Sequence, residues 1–220
     1  MLRVHRSAWL IAGLAVAFAM LPPALLASPS AFDRYFRDKT MRVDYFHTGG
    51  LGQEVISLDR VVSDGPWPGS RTRLLDDANL GKYLFEVIDP ESNQIIFSRG
   101  FSSIYGEWES TGEAGSTHRT FHESLRFPWP RASVQVVLKS RSRDNTFHEI
   151  WSTTIDPDSR FVNPAELKPR GKVWTLFESG PPSRKVDLVL LGEGYSEAEL
   201  PKFHADARRL VDRLFATEPF

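Results

Sequence analysis

From residue 40 to about residue 157 the chain is a succession of short apolar runs, and nothing else in it restricts the fold as much. Runs of four to ten residues rich in Val, Ile, Phe and Tyr are punctuated by Gly, Pro, Asp and Asn. That pattern marks strands joined by turns. It predicts strands over 41–47, 54–62, 83–89, 94–98, 101–105, 118–127, 133–139 and 146–155. Several runs alternate. Phe121, Leu125 and Phe127 fall on one face, and Thr120, His122, Ser124 and Arg126 on the other. Phe147 and Trp151 share a face with Glu149. Half-buried antiparallel strands have this period of two. Turns are signalled at Asp64-Gly65-Pro66, Pro68-Gly69-Ser70, Asp89-Pro90, Glu91-Ser92-Asn93 and Asp144-Asn145,. The expected fold is mainly β, an antiparallel β-sandwich of jelly-roll-like build, over residues 38-157,.

A different pattern follows. Residues 158-185 are dense in proline and glycine and read as a linker, with 172–177 as one further candidate strand,. In 186-220 an apolar run (186–191) meets Gly192-Glu193-Gly194 and then an amphipathic stretch. Leu200, Phe203, Ala207, Leu210, Val211 and Leu214 form one helical stripe,. Ser196 and Glu199 fit a capping box, whereas Pro201 suits a helix that opens at Leu200,. One strand and one helix make an incomplete α/β unit, because a parallel strand needs a crossover and a second strand beside it. The expectation is a chain that is the front portion of something larger, or one that takes its missing layer from another chain.

The first residues read as a targeting segment. Arg3, His5 and Arg6 precede an unbroken apolar run over 8–20, and Pro22-Pro23 ends it. Ala27-Ser28 is the expected cleavage point of a signal peptide spanning 1-27, although Leu25 is larger than the residue favoured there,. The run is short for a membrane span. Export to the periplasm or the extracellular space is therefore expected, with no membrane association after cleavage. There is no cysteine, so disulfides, thiolate metal sites and cysteine nucleophiles are excluded and stability must come from packing. The formal net charge of -1 gives no reason to expect a nucleic-acid partner,.

Candidate chemistry is sparse. His122-Glu123 and His148-Glu149 look like half of a zinc motif, but the fourth position on is Arg126 in one case and Ser152 in the other. Both pairs also sit in predicted strands, where positions four apart do not share a helical face. A cross-strand site from His118, His122 and His148 has no spacing to support it. Gly192-Glu193-Gly194 lacks the third glycine of a dinucleotide loop and the lysine of a P-loop,. Glu193 is the residue there to test for a role in shaping a cleft. No serine elbow occurs, and Asp59, Asp64, Asp76, Asp77 and Asp89 lie scattered at turns without calcium-loop spacing,. Trp67, Tyr105, Trp108, Trp129 and Trp151 are either sandwich packing or a sugar-stacking platform,.

Five stretches carry a family likeness: RVDYFHTGG (42–50), DGPWPGS (64–70), NLGKYLFEVID (79–89), FSRGFSSIYGEWEST (97–111) and TFHESLRFP (120–128). Together they resemble the N-terminal domain of the IgA-peptidase family, the sixty-fourth metallopeptidase family. VDLVLLGEGYS (186–196), with Lys202-Phe203 and Glu218-Pro219-Phe220, resembles the beginning of that family's catalytic domain. The resemblance implies an exported zinc peptidase acting on protein or peptide substrates, in which a sandwich precedes an α/β catalytic domain holding zinc on a His-Glu-x-x-His helix. No such motif occurs in this sequence, so no catalytic, cofactor-binding or metal residue is assigned. The chain is expected to be truncated before the zinc site and inactive alone, its partner being its own missing catalytic domain. The alternative is a stand-alone secreted binding module, for carbohydrate, with residues 186-220 as a docking tail.

Overall fold

The structure is a computed structural model that describes residues 30–165 and 171–219. The expected signal peptide lies outside the described residues. Among the described residues eight strands make two four-stranded sheets. They are β1 (Phe36–Gly50), β2 (Gln53–Ser63), β3 (Tyr83–Asp89), β4 (Gln94–Phe101), β5 (Arg119–Pro130), β6 (Val134–Arg141), β7 (Phe147–Ile155) and β8 (Val162–Asn163). One sheet has the order β5-β1-β2-β8 and the other β4-β3-β6-β7. All pairings are antiparallel except β2 with β8. The mainly β sandwich is as the alternation predicts. It has the strand number and double sheet of a jelly roll, with a simpler wiring built on the hairpins β1-β2, β3-β4 and β6-β7.

Period-two patterning places the core between the sheets. Met41, Val43 and Tyr45 of β1 and Leu125 and Phe127 of β5 face Tyr83, Phe85 and Val87 of β3 and Val134, Val136 and Leu138 of β6. Phe97 is fully buried at the centre, with ring centroids 5.7 Å from Trp67, 5.8 Å from Phe85 and 6.5 Å from Phe36. Each such side chain contributes about 1.5–3 kcal/mol on burial, and without disulfides this burial is what holds the fold. The short helix α1 (Ala31–Tyr35) adds Phe32, and Ser30 caps it by accepting the Asp33 N–H at 3.1 Å.

The long loop 64–82 is tied down rather than free. Leu74 and Asp76 take the outward N–H groups of Ser98 and Gly100 at 3.0 and 2.7 Å, covering the open edge of β4,. Asn93 and Asn145 take up the left-handed conformation at their turns, with φ of 53° and 65°, where asparagine is tolerated.

Three expected strands are not formed. Residues 101–105 split: β4 ends at Phe101, and Ile104–Trp108 is a helix, α2. Tyr105 and Trp108 are buried three residues apart, a helical spacing, and Ser103 caps the turn by accepting the Gly106 N–H at 3.0 Å,. Residues 186–191 and 172–177 take no strand pairing. An apolar run becomes a strand only beside another strand, and here Val186, Val189 and Leu191 stand 96%, 73% and 88% exposed. The expected helix does form, as α3 (Leu200–Phe215), burying Ala207 and Val211. Both expected starts are used in turn. A 3-10 turn, Glu197–Glu199, opens where the Ser196 N–H donates to the Glu199 carboxylate at 3.0 Å, and α3 then begins at Leu200 with Pro201 in its first turn. No helix among the described residues is long and apolar enough to cross a membrane.

Two substitutions separate packing from polar burial. Phe97→Ala is expected to lower the unfolding free energy by about 3–5 kcal/mol in urea titrations. Ser63 is fully buried and its hydroxyl has no hydrogen-bond partner among the described residues. Ser63→Ala therefore removes an unpaired polar atom and should leave stability within about 1 kcal/mol of the parent or raise it. A loss at Ser63 as large as that at Phe97 would contradict this view of the core.

Candidate functional site

A polar cluster closes one end of the sandwich. On β1 the inward face runs Val43, Tyr45, His47, and on β5 it runs Phe121, Glu123, Leu125. His47 is only 1% exposed. Its Nδ1 lies 3.1 Å from Glu123 Oε2 and its Nε2 2.9 Å from Glu54 Oε2. Tyr45 donates its hydroxyl to Glu123 at 3.0 Å, and Tyr83 donates to Glu54 at 3.1 Å. The Tyr105 ring stacks on the imidazole at 3.7 Å, its N–H donates to Glu123 Oε1 at 3.1 Å, and its hydroxyl donates to the Gln53 carbonyl at 2.7 Å.

The backbone is shaped for this. Gly52, at φ +71°, turns β1 into β2 and sets Gly49 opposite Glu54. A Cβ on Gly49 would lie 1.8 Å from the Gln53 carbonyl oxygen and 2.6 Å from the Tyr105 hydroxyl. Only glycine fits there.

Electrostatics favour the charged imidazole. Burial lowers the basicity of His47, but the hydrogen bonds it donates to Glu123 and Glu54 outweigh it and hold its pKa above the ordinary histidine value. Burial likewise pushes Glu54 and Glu123 up. His47 pulls both back below the usual carboxylate range, assisted by the Tyr83 hydroxyl at Glu54 and the Tyr105 N–H at Glu123. Burial also raises the Tyr105 hydroxyl, to about 12, so it remains a donor. An imidazolium with both nitrogens engaged has no lone pair for a base, a nucleophile or a metal. This arrangement is a clamp rather than a catalytic set.

The outer face of the same sheet carries a second cluster. Asp44, 2% exposed, accepts Arg42 Nε at 2.7 Å and Arg60 Nε at 2.8 Å. Asp64 receives Arg42 at 2.8 Å and Arg126 at 2.6 Å. Donor atoms of Asp44, Asp59 and His122 lie within 4.8 Å of one another. Two carboxylates and an imidazole are ligand types that zinc accepts. They do not fit it here, because the Asp44 oxygens already belong to two guanidinium groups, whose positive charge opposes a dication,.

The residues singled out in sequence stay apart. His122 bonds Asp59 at 3.1 Å and lies over the Phe46 ring, while Glu123 points to the other face of β5. His148 lies in the opposite sheet and reaches only Thr146 at 2.9 Å, and His118 reaches Gln53 at 3.1 Å. Trp67, Tyr105, Trp108 and Trp129 are buried and Trp151 is partly buried against the core, so these five offer no exposed sugar platform. Glu193 is exposed, and Gly192 lies under the Phe203 ring, as close packing in front of α3 requires. Asp76 caps a local turn and takes the Gly100 N–H at the edge of β4, and Asp89 serves its own turn. Sequence reading missed the His47 clamp. The available signal was a histidine and a glutamate each continuing an apolar strand face.

Residues 31–152 match the family model for the Peptidase M64 N-terminus, and 174–220 match that for IgA Peptidase M64. The chain belongs to the M64 peptidase family. No curated protein matches it.

The M64 N-terminal match spans the clamp, its four strands β1, β2, β3 and β5, and α2. The IgA Peptidase M64 match spans α3 and the stretch before it. There Trp174 stacks on His204 at 4.0 Å, and the Tyr195 hydroxyl donates to Asp206 at 3.0 Å.

Stability should track the two clusters differently. Glu123→Leu leaves the imidazolium with one carboxylate and strands the Tyr45 hydroxyl and the Tyr105 N–H, and should cost about 3–5 kcal/mol at pH 7. His122→Ala, one residue away on the solvent face, should cost less than about 1 kcal/mol. Glu54 and Glu123 have depressed folded pKa values. Their contribution is complete above the ordinary glutamate value of about 4.3 and is lost as pH falls through the lower folded values. In urea titrations across pH 2–6, Glu123→Leu should therefore show a shallower acid limb than the parent.

Proposed function

We propose that the sandwich is the non-catalytic accessory domain of an exported zinc metallopeptidase of the IgA-peptidase type, and that it works by docking against a peptidase catalytic domain. The observation that carries this reading is the order of the two family matches, an N-terminal domain match over 31–152 followed by a peptidase match from 174. The chemistry of the sandwich supports it. The imidazole of His47 is consumed by two carboxylates, and Asp44 by two arginines. These groups stabilise strands and leave no free base beside an electrophile. The zinc of such a peptidase, which activates water and polarises the scissile carbonyl, needs donors other than these. The basic and apolar opening of the sequence, 3–20, supports passage through a membrane by a cleaved signal peptide,. The substrate class is protein or peptide.

The test is a peptidase assay on the purified chain with added zinc and a degenerate fluorogenic peptide library, with zinc stoichiometry measured in parallel. The chain should turn over no peptide and retain no stoichiometric zinc. Fused ahead of an active M64 catalytic domain, it should support activity that the catalytic domain loses without a sandwich. Zinc-dependent cleavage by the chain itself, abolished by His122→Ala, would overturn the reading.

A further inference from the structure

We infer that His47 is a proton-operated latch: charged, it holds the segment from α2 through the 3-10 turn Gly112–Gly115 on the end of the sandwich, and on losing its proton it frees that segment.

The attachment of this segment is narrow. Tyr105 docks α2 through four contacts, of which the first two touch His47 and its partner Glu123 and the other two the turn that leads into Glu54. They are the ring stack on His47 at 3.7 Å, the N–H to Glu123 at 3.1 Å, and the hydroxyl to the Gln53 carbonyl beside Glu54 at 2.7 Å and to the Gly50 carbonyl at 3.3 Å. Beyond these, Lys82 pairs with Glu109, Arg119 at the start of β5 pairs with Glu113 at the surface, and the Ala114 carbonyl accepts the Leu51 N–H at 2.9 Å. The apolar support is a small cluster of its own, Tyr105, Trp108 and Ala114 with Phe121 beside it, separate from the main core. Small units with few buried contacts open before the fold as a whole does.

The groups around His47 determine what proton loss does. Glu54 faces it from β2, Glu123 and Tyr45 from the β5 and β1 side, Tyr83 from β3 and Tyr105 from α2. Lys82 acts on Glu54 from nearby, and Glu109 acts on Tyr105 and Tyr83. His47 is thus the cation shared by two carboxylates. A neutral imidazole keeps its N–H on one of them and turns a lone pair towards the other at about 3 Å; with the proton on Nε2 the carboxylate facing the lone pair is Glu123, which keeps only its Tyr45 and Tyr105 donors,. Glu123 is the carboxylate that also holds the α2 backbone. Repulsion at Glu123 therefore acts directly on the helix, while the sheet pairings of β3 with β6 lie elsewhere. Release uncovers Trp108 and Phe121.

The experiment uses the full chain. Ring NMR follows the protonation of His47, and hydrogen exchange followed by mass spectrometry, corrected for intrinsic rates, follows peptides covering 103–117 and 134–141 over pH 6–10. Opening of 103–117 should increase about tenfold per pH unit from the ordinary imidazole value of about 6.5 up to the His47 midpoint, then level off. The 134–141 peptide should stay protected throughout. His47→Gln should exchange at the released level at every pH. If that variant does not fold, the parent titration decides alone. Flat protection of 103–117 through the His47 transition, loss of both peptides together, or a neutral His47 at pH 6 would each overturn the latch.

Discussion

Two partly buried carboxylates face a fully buried imidazole at one end of this sandwich, and its positive charge makes their burial tolerable. Glu54 and Glu123 come from strands on either side of β1, and His47 on β1 satisfies both. An isolated carboxylate in such a place would cost several kcal/mol. The pairing therefore fixes register in both directions across β1, since a one-residue slip of either neighbour would turn its glutamate to the solvent face. The apolar core supplies most of the folding free energy. The clamp decides which arrangement of that core forms at the open end, and it carries α2 with it.

The strands were legible in the sequence because their chemistry is local. Alternation in Thr120, Phe121, His122 and Glu123 announces a half-buried strand whatever lies beside it, and Asn93 and Asn145 announce their turns. Where the outcome depended on a distant partner, sequence reading failed. Phe101 to Tyr105 reads as one apolar run, but Ser103 and Glu123 break it into a strand end and a helix. The run 186–191 has every local mark of a buried strand and pairs with nothing described. Propensity proposes such elements, and neighbours complete them.

The candidate site was readable only in outline. His122-Glu123 draws attention as a fragment of a metal motif, yet the two residues part to opposite faces of β5. Only Glu123 belongs to the buried cluster, and its partners His47 and Glu54 lie far off in sequence and are recognised only once the strand register is known. The outer Asp44, Arg42 and Arg60 group is equally closed on itself. Both clusters stabilise the strands of the region that matches the Peptidase M64 N-terminus.

The central claim is that His47 and Glu123 are strongly coupled in the folded chain. A double-mutant cycle with His47→Gln and Glu123→Gln, read by urea unfolding at pH 6, measures that coupling directly. The expected coupling is about 2–3 kcal/mol. Additive effects, with coupling near zero, would contradict the clamp and the account built on it.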